Sequence, residues 1–386
     1  MTSIIKIKNV PNLDFDIIEE SIKKTKPKTL SSTNIASNDS IEEMDLSNLE
    51  NSKSNDNYNI NYSYKDDFSP LKEHSIYSDD NYIHFQLGGD QGELEYNEIF
   101  LKDHEVINII EKYFPDDYIT EEDLQLLFSR MNDVGCGYIA TCNTIFDYAK
   151  ELSGQEFEQI FGFAPYTTRK DEQGEKYLDY NYEYMFLNYF LYYAKEKEGF
   201  ESIEDLYGNE KDNPEFGDGA LSSDDNFELI GMDGTYEWEV AEITKKFLSE
   251  KGIKIDVYGS GYGEESGKKG TWLNPNSKTY EKDKNYLEKY GFEVDDSKEK
   301  GKVIPSLKAI DNALKDGKKI IISGEDFPMY YAGNKDTIAD DLDNVGPHSM
   351  SVVGVEEDKI MVSSWGKKYA INVKDIESFA LYDYNK

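Results

Sequence analysis

Cysteine is nearly absent, with 2 in 386 residues, Cys136 and Cys142. Two thiols cannot build a disulfide framework, so burial of apolar surface has to hold the fold. Histidine is scarce too: His74, His84, His104 and His348 are the complete set of 4. Positive charge is outnumbered, 42 Lys and Arg against 78 Asp and Glu, which leaves a formal charge of −36. A field of that sign repels phosphate backbones and anionic lipid, and so disfavours nucleic acid and membrane surfaces as partners. Its first consequence is solubility. Long apolar runs are missing as well, and no stretch approaches a membrane span. The opening MTSIIKIKNV lacks the apolar core and small-residue cleavage site of a secretory signal. The default expectation is a cytoplasmic protein, with export by a route that needs no cleaved signal left open.

The length suits one large or two modest domains with ample chain for a core. Residues 1–91 differ from the rest. After a short apolar start at Ile4, Ile5, Ile7 and Val10 they become polar, rich in Ser and Asn and poor in periodicity, and are expected to be largely disordered. Lys23, Lys24, Lys26 and Lys28 form a basic cluster there. It reads either as a solvated linker or as part of an intramolecular prosegment lying against the acidic body. Residues 92–386 read as the globular part.

Within that part, Val106, Ile109, Ile110 and Tyr113 have helical spacing before Pro115. Thr120 with Asp123 three residues later opens a helix bearing Leu124, Leu127, Phe128 and Met131, expected to stop near Asn132. The aromatic-rich GEKYLDYNYEYMFLNYFLYYAKEKEG predicts another helix, with a core face of Met185, Phe186, Tyr189 and Phe190. DGTYEWEVAEITKKFLSEKGI predicts a helix capped by Thr235 and ended by Gly252, then a strand from Ile253 to Tyr258. Ser306 is expected to cap LKAIDNALKDG, with KKIIISG as a buried strand after it. NEKDNPEFGDGALSSDD, GSGYGEESGKKG and PMYYAGNKDTIADDLDNVGP are expected to be loops.

One stretch carries chemistry. After Val134 and Gly135, a second periodic run places Ile139, Cys142, Phe146 and Ala149 on one face, with Gly154 as the expected C-terminal cap. Cys136 therefore leads a helix, where unpaired N–H groups and the positive end of the helix dipole favour a thiolate and can hold a developing oxyanion. Cys142 falls one turn inside, on the apolar face, as a core residue. An EF-hand reading of NDVGCGYIATCN fails because Val134, Cys136 and Asn143 stand where calcium ligands would be needed.

A thiol nucleophile needs a base. His348 begins GPHSMSVVGVEEDKIMVSSWGKKYAINV, which predicts a strand, a tight acidic turn and two further strands. A Cys-Gly at a helix start, followed much later by a Gly-x-His strand and a strand ending in Ser-Trp-Gly, resembles the papain-like cysteine peptidase fold, especially its bacteriocin-leader peptidase-like bacterial branch. The resemblance implies an α+β fold, a helical subdomain carrying Cys136 packed on a mainly antiparallel sheet carrying His348. It implies a cysteine peptidase acting on a protein or peptide substrate without cofactor or metal. Cys136 would be the nucleophile and His348 the acid and base. The third position, where the family usually has Asn, falls on Ser363. The family's glutamine oxyanion donor would fall on Arg130, and Asn132 is the nearest amide to replace it. Two alternatives remain open at the level of sequence: an acyl-transfer, transglutaminase or deamidase effector, and a binding module whose site has decayed. The four aspartates Asp336, Asp340, Asp341 and Asp343, close to His348 in sequence, would favour basic substrate positions.

Overall fold

The computed structural model describes residues 74–78, 83–149, 152–170, 176–207, 237–259, 270–339 and 342–384. The expectations for residues 1–73, for Thr235, Asp340 and Asp341, for the acidic loop after Tyr207 and for most of GSGYGEESGKKG lie outside the described residues. All described residues belong to one compact unit.

Local chemistry sets the helices. Short helix α1 (Glu93–Tyr96) and a 3-10 turn (Glu98–Lys102) lead into α2 (His104–Tyr113), whose Asp103 side chain accepts from Glu105 N–H. α3 (Glu121–Val134) starts at a full capping box, with Thr120 and Asp123 satisfying each other's backbone N–H groups. α4 (Cys136–Ala149) follows after the single residue Gly135. Gly154 does not cap α4. It is the first residue of α5 (Gly154–Phe161), where Ser153 and Glu156 form a second capping box, because a serine three residues before a glutamate is a stronger helix start than the glycine is a stop.

The expected aromatic helix is shorter than its sequence pattern. Lys176–Tyr180 is instead a strand, β4, paired with β3 (Tyr166–Lys170) in a separate hairpin. Only Tyr182–Tyr193 is α-helical, as α6, continued by a π-helical turn (Ala194–Glu198). Four-residue α7 (Glu204–Tyr207) precedes α8 (Glu237–Glu250). After α8 Gly252 takes φ +78, and Ile253 N–H donates to Leu248 O at 2.9 Å. This αL residue closes the helix as glycine does most readily. Strand β5 (Ile255–Tyr258) comes next, then α9 (Tyr280–Tyr290), a β6–β7 ribbon (Glu293–Val294 with Val303–Ile304) and α10 (Leu307–Lys315), capped by Ser306 as expected.

The main sheet has ten strands, and its pairings are antiparallel. Its order is β1 (His74–Ser78), β2 (Ile83–Gln86), β13 (Lys367–Ile371), β12 (Lys359–Ser364), β11 (His348–Glu356), β8 (Lys319–Gly324), β14 (Ser378–Tyr384) and β5. β9 (Tyr330–Tyr331) and β10 (Asn334–Ile338) attach beside β13, inside the segment expected to be a loop. β1 and β2 precede residue 92, so the expected boundary falls inside the fold, not at its edge. Polar composition hid these strands.

Both faces of the sheet are covered, and strand alternation sorts the side chains. Ile321, Ala380, Tyr382 and Tyr384 join the helical core with α2 to α6 and α8. Ile320, Ile322, Met350, Val352, Phe379 and Leu381 join a second core with α9 and α10. The molecule is thus α+β, with the cysteine helix laid on one face of a large antiparallel sheet. No described helix is long and apolar enough to cross a membrane.

Candidate active site

Gly135 sets the position of Cys136, the expected nucleophile. Ile139 N–H donates to Gly135 O at 2.9 Å, so Cys136, Gly137 and Tyr138 precede the first N–H donor of this ladder. A Cβ at Gly135 would sit 2.1 Å from Met131 O and 2.5 Å from Phe186 Cζ. Only glycine lets α3 and α4 abut this tightly. Cys136 is half-buried, whereas the helix behind it is buried as far as Asp147. Cys142 is fully buried, and desolvation raises its thiol pKa well above the ordinary value. It is a core residue.

α4 runs in the same direction as β11. Ser351 Oγ donates to Ala140 O at 2.8 Å, and farther along both elements Asp147 pairs with Lys319, which lies one residue beyond the Ile320–Val352 pair. Gly366, in the turn after β12, donates to Gly89 O at 3.0 Å, and Gly89 fits against Ile139. Cys136 and His348 therefore lie at the same end of the sheet. Alternation groups His348 with Met350 and Val352, while Ser351 faces α4. A Cys136–His348 encounter requires the imidazole, on the first residue of its strand, to reach around that end.

Two contacts define the resting position of His348. Its Nε2 lies 2.6 Å from Ser364 Oγ, and its ring stacks on Trp365 at a centroid distance of 4.2 Å and an angle of 11°. Trp365 adopts φ +45, unusual for a bulky residue, and is braced by His348 on one side and by an edge contact with Tyr369 at 6.2 Å. Burial pushes the His348 pKa down to about 4, so the ring is neutral across the physiological range.

Ser363, the expected third member, points elsewhere. Its Oγ donates to Leu87 O at 2.7 Å and accepts from Asn143 Nδ2 at 3.2 Å, on the α4 side of the sheet. The adjacent Ser364 carries the contact with histidine, because successive strand residues face opposite ways. Asn132, the expected oxyanion donor, gives Nδ2 hydrogen bonds to Glu95 Oε2 at 2.7 Å and to Tyr96 O–H at 3.0 Å. An amide nitrogen has two hydrogens, and both are engaged. Arg130 is buried within α3.

The sequence reading missed Leu87 to Gly92. Leu87 N–H donates to Gly366 O, Gly89 N–H to Asn143 Oδ1, and Gln91 Nε2 to Asn132 O. The segment runs antiparallel to α4 and ends beside Gly135, where Gln91 Cβ is 3.3 Å from a Cβ built on the glycine. Its signal in LGGDQG was only the paired glycines, without periodicity. Among the described residues no group of three or more His, Cys, Asp or Glu is arranged to hold a metal ion. No known protein family, curated protein or solved structure matches the chain.

Proposed function

We propose that the chain is a cysteine hydrolase of peptide bonds with a papain-like arrangement, using Cys136 as nucleophile, His348 as acid and base, and Ser364 as the orienting group. The observation that carries this reading is the His348 Nε2 to Ser364 Oγ contact of 2.6 Å, with the ring stacked on Trp365, at the sheet end where Cys136 begins α4. With Nε2 engaged, Nδ1 is the nitrogen left for the thiol.

With His348 neutral at rest, the thiol proton moves to Nδ1 as Cys136 Sγ bonds to the substrate carbonyl carbon. Backbone N–H groups at the start of α4 face the oxyanion. Collapse of the tetrahedral intermediate breaks the C–N bond, and the departing amine takes the proton from His348, leaving a thioester. Water then gives a proton to His348 and its oxygen to the acyl carbon. Collapse breaks the C–S bond, the carboxylic acid leaves, and Cys136 Sγ takes the proton back from His348.

A peptide library incubated with the folded protein and read by mass spectrometry tests this. New termini are expected, absent in Cys136→Ala and reduced at least a hundredfold in His348→Gln. Deamidated or cross-linked side chains without cleavage would replace hydrolysis by acyl transfer. A second reading, a binding module with a decayed site, is favoured by the hydroxyl that stands in for an amide and by the deep burial of His348. Unchanged peptides, with Cys136 inert to peptidyl electrophiles, would select it.

A further inference from the structure

Hydrogen-bond acceptors collect around Asn132 and Gly135, just ahead of Cys136 in the chain. Gln91 is 8 % exposed, its Nε2 is committed to Asn132 O, and its Oε1 is a buried acceptor with no donor. A buried carbonyl oxygen left unpaired is costly, which points to a donor supplied from outside the chain. Asn132 extends the cluster outward to Glu95 and Tyr96. Glu95 is answered there by a neutral amide and not by a cation. Asp133 follows next in sequence; partial desolvation of its carboxyl and then the charge of Glu95 raise its pKa, against the opposing charge of Arg130, although the residue is exposed. Tyr96 is 70 % exposed and offers an apolar wall.

We propose that Gln91, Glu95 and Asp133 form a subsite for the cationic side chain, lysine or arginine, of a peptide substrate, Gln91 Oε1 accepting one of its N–H groups and the two carboxylates balancing its charge. Tyr96 packs the aliphatic stem or the cation itself. The contact of Gln91 with Gly135 puts this subsite one residue along the chain from the proposed nucleophile. The inference rests on the hydrolase reading of Cys136 and adds the substrate class.

The test uses peptidyl acyloxymethyl ketones that differ only in arginine or the isosteric neutral citrulline, placed in turn at each position before the ketone, with labelling of Cys136 read by intact mass. At one position the arginine probe is expected to label about tenfold faster. That ratio should fall toward one in the double variant Glu95→Gln with Asp133→Asn, and in wild type at high salt. Gln91→Met should lower it too. The exposed carboxylate variants and the salt series carry the test if the buried Gln91 change disturbs folding. Equal rates at every position, with Cys136 still labelled, would overturn the subsite and assign the Gln91 contact to buried water, leaving the hydrolase intact. If no probe labels a Cys136 that iodoacetamide alkylates, the hydrolase reading falls and the subsite with it.

Discussion

Two neighbouring serines divide structure from chemistry. Ser363 ties Leu87 and Asn143 to the sheet, so Ser363→Ala is expected to cost about 1–3 kcal/mol in urea denaturation, by leaving buried partners unsatisfied. Ser364 Oγ meets the imidazole instead. Under the proposed hydrolysis, Ser364→Ala should lower kcat about tenfold to a hundredfold with KM unchanged, as orientation of His348 is lost, in addition to the stability cost of a buried Nε2 left unpaired. An unchanged kcat in the folded Ser364→Ala variant would remove the positioning role. His348 gives a second expectation. Its folded pKa of about 4 lies below the ordinary 6.5, so the unfolded chain binds the proton more readily. The stabilisation is complete above about pH 6.5 and is lost as pH falls toward 4, about 3 kcal/mol in all. Stability measured at pH 7 and pH 4.5 should therefore drop less in His348→Gln than in wild type, the titrating carboxylates being common to both.

At the scale of elements, the seating of α4 on the sheet is the main determinant of the site. Its contacts include the Ser351–Ala140 bond, the Thr144–Tyr384 bond at 2.9 Å and the Asp147–Lys319 ion pair, whose side chains are 9 % and 17 % exposed. Removing one partner of such a pair strands the other charge in a poorly solvated place. Lys319→Ala is expected to cost about 3–5 kcal/mol, while replacing both, Asp147→Leu with Lys319→Met, should cost less than either single change. A double-mutant cycle by chemical denaturation checks this, and simple additivity would show that the pair is not coupled. The capping of α3 and α10 was legible beforehand because caps are local: Thr120 with Asp123, and Ser306, act within three residues. β1, β2, β9 and β10 were not legible, because they are short hairpin strands without an apolar alternation, and only the pairing of β2 and β9 with the distant β13 ties them to the sheet.

At the scale of the whole molecule, a formal charge of −36 weakens the compact state by self-repulsion. Raising NaCl from about 10 mM to about 0.5 M is expected to raise Tm by several degrees as the Debye length shrinks. A falling Tm would mean that attractive pairs outweigh the net field. The sequence by itself determined the periodic helices, the thiol at a helix start, the histidine that begins a three-strand run and the acidic surface, all written in neighbouring residues. Only the tertiary structure decided that Ser364 and not Ser363 meets His348, that Asn132 spends its amide on Glu95 and Tyr96, and that Gln91 arrives beside Gly135. Strand register settles the first, since a one-residue shift turns a side chain to the opposite face. The other two depend on distant segments meeting at the end of a sheet, which no local pattern encodes.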